Sequence, residues 1–370
     1  MPADSQDTYK SEKKMANNSD EQWAWLGLLK WSLAYTDGTS DASPPEMSPE
    51  DKAFLESVMK DGIIDENKRM KEILNQVTDQ MTKWKMEKWT EEEEGTVEDL
   101  LQELRDCVEQ IDFARSFAAM KGLEFLLGCA QEREHIPSSV RLLCLGTLAT
   151  MSSNNPPVQK DLLEMGALKA LSDVFFAEED TDTNGKLRAR VMQAIGAIVR
   201  SNPVGEVIFG QLEQSPTLVA AGLGMGTDDY NATPFALRQR TLFFLRAIAT
   251  SDIAETLTLM KRFQGALAWV CDHVVDDTIE TSGEIRETAL GMIRAIMEQG
   301  SLRAPIMSRK SSLVALGVRR VSTLRKLDGE ERDYAAVELE HWEALMVLLS
   351  RTEDVNDTPE PATSNALPGQ

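Results

Sequence analysis

Apolar residues recur every three to four positions along most of this chain, and alternating β-branched runs bounded by hairpin turns are nearly absent. That spacing predicts helices, not strands. From about residue 97 the helical pattern is broken at intervals by Gly, Pro and Asn, the residues that end helices. Four of the segments are versions of one another: SSVRLLCLGTLATMSSNNP from Ser138, GKLRARVMQAIGAIVRSNP from Gly185, FALRQRTLFFLRAIATSDI from Phe235 and GEIRETALGMIRAIMEQGS from Gly283. Arg141, Arg188, Arg238 and Arg286 hold one position in them, at steps of 47, 50 and 48 residues. A second element keeps the same step, as GALKALSDV from Gly166, a degenerate SPTLVAAGL from Ser215, GALAWVCDH from Gly265 and SSLVALGVR from Ser311.

A period in the high forties with two or three helices per unit fits armadillo-like or HEAT-like repeats. One such unit cannot bury its apolar face alone, so stacked neighbours share a continuous core. The predicted fold is all-α, an armadillo-like α-solenoid of about four to five helical repeats, with a flexible N-terminal segment and a disordered C-terminal tail. The predicted divisions are a flexible segment over 1–47 with a Leu/Trp-rich motif at 26–35, capping helices over 48–90, repeats over 91–350, and the tail over 351–370. In the capping region Met70, Ile73, Leu74 and Val77 fall at helical spacing, and Tyr334 to Ser350 reads as a closing helix.

Composition narrows the partners. Hydrophobic residues make up 42% of the chain, enough for a core, and the formal charge of −22 argues against nucleic acid or an anionic membrane surface. A basic protein surface is the electrostatic complement that net charge alone suggests. No secretory signal, retention signal or apolar run of spanning length is legible, and Cys107, Cys129, Cys144 and Cys271 sit singly in helical patterns as buried thiols of a reducing compartment. The expectation is a cytoplasmic monomer, with the nucleus left open.

Candidate chemistry is sparse. Asp180, Asp182, Asn184 and Gly185 imitate half of a calcium loop, but Val191 stands where a bidentate Glu is required. His135, His273 and His341 lack Cys or carboxylate partners at metal-ligand spacing. GLGMGTDDY at Gly222 follows no strand pattern and reads as a helix end. The expectation is a binding protein with no metal, cofactor or catalytic residues. Nuclear-import adaptors grip basic peptides with arrays of Trp and Asn, and here Trp269 is alone among such helices, so a generic scaffold or adaptor for a basic or helical partner is the second reading.

The stretch LGTLATMSSNNPPVQKDLLEMGALKALSDV, residues 145–174, resembles a repeat of the nucleotide-exchange factors for heat-shock protein 70 chaperones, the Fes-type, Hsp70-binding-protein-type and Sil-type proteins. The match rests on Gly146, Thr147, Asn154, Asn155, Pro156, Val158, Gln159 and Gly166 to Leu168. Asp112, Ala114, Phe117, Gly122 and Leu123 resemble the family's first repeat, with Phe113 and Arg115 replacing its two asparagines. LLKWSLAYT, Leu28 to Thr36, resembles the N-terminal segment of the fungal members, and residues 46–77 resemble their linker helices.

The resemblance implies a concave repeat surface that binds the ATPase domain of the chaperone and promotes ADP release. It implies partner contacts at Ala114, in a turn where a small residue allows close approach, and at Arg240, a basic residue of the third repeat. Read without the resemblance, Ala114 equally fits a helix–helix contact and Arg240 an ordinary solvated helix face. Arg238, Asn154 and Asn155 are further candidates, each with a structural alternative at a helix start or end. Lys169, Asp173, Asp272 and Arg319 are expected on third helices lining the concave face. Leu28, Leu29, Trp31 and Leu33 are expected to mimic a client peptide at the chaperone's peptide site. The alternative for that segment is an amphipathic helix over 22–35, packed through Leu26, Leu29 and Leu33.

Overall fold

The computed structural model describes Pro49 and residues 65–178, 182–227, 229–300 and 302–351, and every described regular element is helical. The chain divides into two compact units, Met1–Arg69 and Met70–Gln370, and the second carries the repeats. Among the described residues, two full helices precede them: α1 (Glu66–Trp84), which buries Met70, Ile73, Val77, Met81 and Trp84, and α2 (Glu91–Cys107). The four consecutive glutamates from Glu91 form the first turn of α2, where negative charge meets the positive end of the helix dipole. Thr90 caps that turn: its Oγ1 accepts from the Glu93 N–H while Glu93 accepts from the Thr90 N–H.

Fifteen further helices follow in five triplets. The first is α3 (Ile111–Ala119), α4 (Gly122–Gln131) and α5 (Ser138–Ser152); the second is α6 (Pro156–Glu164), α7 (Ala167–Ala177) and α8 (Asp182–Val199). The third is α9 (Pro203–Gln211), α10 (Ser215–Gly222) and α11 (Phe235–Ala249); the fourth is α12 (Ala254–Leu259), α13 (Gln264–Trp269) and α14 (Gly283–Gln299). The last is α15 (Ala304–Met307), α16 (Lys310–Leu324) and α17 (Gly329–Arg351). The long helices α2, α5, α8, α11, α14 and α17 pack each on the next, forming a ladder, while α4, α7, α10 and α13 make a second layer behind it. The predicted repeat architecture is therefore observed.

The recurring arginines hold the repeats together. Arg141 donates from Nη2 to Glu178 at 2.6 Å and from Nε to the Ala130 carbonyl at 3.0 Å. Arg238 donates to Glu280, and Arg286 makes a two-pronged contact with Glu338 at 3.2 and 2.8 Å. In each case the arginine belongs to one triplet and the carboxylate to the next. Arg188 lies instead over the Phe175 ring, 4.3 Å from its centroid. All four arginines are buried, and buried charges persist only when paired and hydrogen-bonded or stacked.

The turns between triplets also repeat. Asn154 and Ser201, each thirteen residues after the recurring arginine, take left-handed φ values of 51° and 57°. Asn155 and Asn202 follow at the helix start, each before a proline that begins the next helix. Asn202 accepts from the Gly205 N–H at 3.1 Å and donates to Gln159 at 3.2 Å. The calcium-like stretch enters a helix: residues 182–185 form the start of α8, and Val191 is in its buried core.

Candidate functional site: the ladder groove

Across the ladder face, α5, α8, α11 and α14 border a groove lined by Gln193, Arg200, Gln239, Arg240, Phe243 and Glu284 among others. Phe243 is 50% exposed, unusual for an aromatic on a helix packed on both sides. The Arg200 guanidinium stacks on it, 4.8 Å from the ring centroid. Gln239 bridges to Glu284 at 2.6 Å, and Glu284 is the one acid among the lining residues.

Several arginines gather on this face without an acid to pair them, Arg294 on α14, paired with Glu298 and Glu340, being the exception. Arg105 on α2 donates to Thr150 at 3.3 Å, and Arg190 on α8 to Gln193 at 2.7 Å. The side chains of Arg240 and Arg246 on α11 make no hydrogen bond or ion pair among the described residues. Burial pushes the proton affinity of Arg190 down, and the Arg105 charge adds to it; burial and then Arg190 do the same to Arg240. Net charge was a poor guide here: an acidic chain presents a cationic groove, so the complement of this face is an acidic surface.

Of the described residues singled out from the sequence, Arg240 lines the groove and the others do not. Ala114, on α3, is 1% exposed and packs in the core, so its methyl group cannot touch a partner. Arg238 and Asn155 are likewise buried, the first spent on Glu280 and on the Thr233 carbonyl. Asn154 is exposed, but its left-handed backbone makes it the turn residue of the repeat. Lys169 and Asp173 pair with each other at 2.6 Å on α7. Asp272 pairs with Arg309 at 2.6 Å in the π-helical turn after α13, and Arg319 on α16 pairs with Asp276 and Asp277. Lys169, Asp173 and Arg319 lie on second helices of their triplets and Asp272 in the turn that follows one, which corrects their expected place on third helices. Trp269 is half-buried and stacked on His273, with ring centroids 3.5 Å apart. Leu28, Leu29, Trp31 and Leu33 lie outside the described residues.

Reading the sequence by type missed Arg190, Arg200 and Phe243. The signal for Arg190 was present: it follows Arg188 by two residues, as Arg240 follows Arg238.

The ladder and its backing layer define an armadillo-like helical-repeat fold. A designed armadillo repeat protein superposes on it with a TM-score of 0.50 at 16% identity, covering 75% of this chain and 99% of the design. The family model described as "Nucleotide exchange factor Fes1" matches residues 26–117. A curated relative, "Hsp70 nucleotide exchange factor FES1" of Candida glabrata, is 28% identical over 144 residues, 39% of this chain. The chain spans about half of that relative's length, 47%. The resemblance to this exchange-factor family stands on both matches.

Proposed function

We propose that this chain is a nucleotide-exchange factor for a cytosolic heat-shock protein 70 chaperone, binding its ATPase domain through the ladder groove. The observation that carries the reading is the family match over residues 26–117, which takes in the Leu/Trp-rich segment, α1, α2 and most of α3. The groove supports it with a partner surface of definite chemistry: guanidiniums and one exposed aromatic on a buried, stapled scaffold. An exchange factor makes and breaks no bond. A partner that prefers the open form of the ATPase domain must weaken nucleotide by the same factor by which nucleotide weakens the partner.

The segment 26–35 is assigned the second role, occupying the chaperone's peptide site to help expel persistent clients. The tether between it and the repeats raises its effective concentration once the ATPase domain is docked. Stopped-flow release of a fluorescent ADP from the chaperone, with and without this protein, tests the exchange role, and no acceleration rejects it. Deleting residues 1–40 is expected to leave ADP release intact and slow client release. Equal client release by the truncated chain rejects the second role and leaves the first.

A further inference from the structure

Two glycines of the ladder hold the same place in their repeats, Gly146 on α5 and Gly291 on α14, each five residues after the recurring arginine. Above each, polar groups from the two flanking ladder helices converge. A Cβ at Gly146 would stand 3.9 Å from Nη1 of Arg105 on α2 and 3.9 Å from Cζ of Arg190 on α8. A Cβ at Gly291 would stand 3.4 Å from Nη1 of Arg246 on α11 and 3.3 Å from Nε2 of His341 on α17. At Gly291 a side chain would crowd these groups, so the glycine lets Arg246 and His341 fold down over the helix; at Gly146 the arginines lie at ordinary van der Waals distance from where a Cβ would stand.

Convergence of this kind is unfavourable by itself. Arg105 and Arg190 are like charges, and both are partly buried. Neither they nor Arg246 meets a carboxylate among the described residues, whereas Arg141, Arg238, Arg286, Arg319 and Arg325 all do. At the second glycine, Nδ1 of His341 is buried without a partner, leaving the proton free to sit on Nε2 and be donated above Gly291. In a chain with 61 acids to 39 basic residues, arginines left unpaired on one face have been kept from the chain's own acids.

The geometry points to two oxyanion cradles on the ladder face, Arg105 with Arg190 over Gly146 and Arg246 with His341 over Gly291, each receiving a carboxylate side chain of a protein partner. Guanidinium forks match carboxylates bidentately and gain most where water is partly excluded. The two cradles are three helix steps apart, roughly 24–30 Å at ordinary interhelix spacing. A small anion cannot reach both, and the exposed Phe243 between them asks for an apolar contact, so the occupant is an acidic protein surface with an apolar centre. The choice of the chaperone's ATPase domain as that surface rests on the function proposed above; the cradles themselves do not.

Two measurements keep these apart. In the first, the full chain is titrated with the ATPase domain at low and moderate salt. Arg105→Gln with Arg190→Gln is expected to weaken binding at least roughly tenfold and to flatten its salt dependence, each lost charge-assisted bond being worth about that much. Arg325→Gln, which removes a surface arginine already paired with Glu343, leaves affinity unchanged. Melting temperature separates a binding role from a structural one. Relieved repulsion leaves the double variant as stable as the parent or more so, and a lower melting temperature overturns the proposal. In the second, a fluorescein-labelled hexaglutamate peptide is the probe. It binds the parent chain and loses affinity for the Arg105→Gln, Arg190→Gln variant whether or not the ATPase domain binds, and equal binding by both overturns the cradles.

Discussion

The Nε of Arg238 donates to the Glu280 carboxylate at 3.2 Å, and the glutamate has no exposed surface. The Tyr230 hydroxyl donates to the same carboxylate at 2.7 Å, and its ring lies beneath the Arg238 guanidinium, 4.6 Å from centroid to Cζ. Glu280→Gln leaves a buried guanidinium without its counter-charge. The expected cost is about 3–5 kcal/mol, the usual penalty for breaking one side of a buried pair. Urea unfolding of parent and variant measures it, and a loss below about 1 kcal/mol would show that Arg238 is satisfied by carbonyls alone.

Arg190 and Arg240 occupy equivalent positions in consecutive repeats of the groove. Replacing both with Glu turns an attractive face into a repulsive one. ADP release from the chaperone should lose at least roughly a factor of ten at fixed protein concentration, since like-charge juxtaposition costs several kcal/mol. Circular dichroism melting should change little, because the Arg240 side chain bonds to nothing within the described residues and Arg190 gives up only its bond to Gln193.

Acid should loosen the last two repeats through Glu338. Burial alone would push its carboxyl up, but the Arg320 and Arg286 guanidiniums hold it below the ordinary 4.5. A carboxyl with a depressed folded-state value binds its proton less readily in the folded than in the unfolded chain. Its contribution is therefore complete above pH 4.5 and is lost as pH falls through the folded-state value. Melting temperature followed from pH 6 downward should fall more steeply below about pH 4.5 for the parent than for Glu338→Gln. Parallel curves would remove Glu338 from the acid response.

Gly122 opens α4 against the fully buried Phe117 ring, and a Cβ built there would overlap that ring. Gly122→Ala should therefore destabilise the first triplet by about 1–3 kcal/mol despite the better helix propensity of alanine. Calorimetry decides, and a raised melting temperature would mean that the ring has room to turn.

The architecture was legible because one arginine marks each of the first four repeats, and the structure gives that mark a cause: three of the four arginines tie a triplet to the next by a buried carboxylate. Which helices form the binding face was not. GALKALSDV is as amphipathic as a surface helix should be, and it and its relatives are second helices backing the ladder. The ladder helices hide their role, being covered on both flanks. α5 buries ten of its fifteen residues, so its single solvent-facing edge leaves little pattern in the sequence. Ala114 shows the same limit, since a small residue in a helical pattern fits a close intermolecular approach or a tight core, and only packing separates the two.

Glu280 has a mechanical consequence. Its carboxylate belongs to Arg238 of the repeat before, while its backbone carbonyl accepts from Arg286 of its own repeat at 2.7 Å, and Arg286 in turn grips Glu338 of the repeat after. Twisting any of these repeats against its neighbour would drag a charge out of its buried seat. The rungs from α11 to α17 thus resist torsion like a braced frame, and the groove they border works as a gauge of fixed setting. A partner whose lobes move must come to that setting, and the energy of bending falls on the partner.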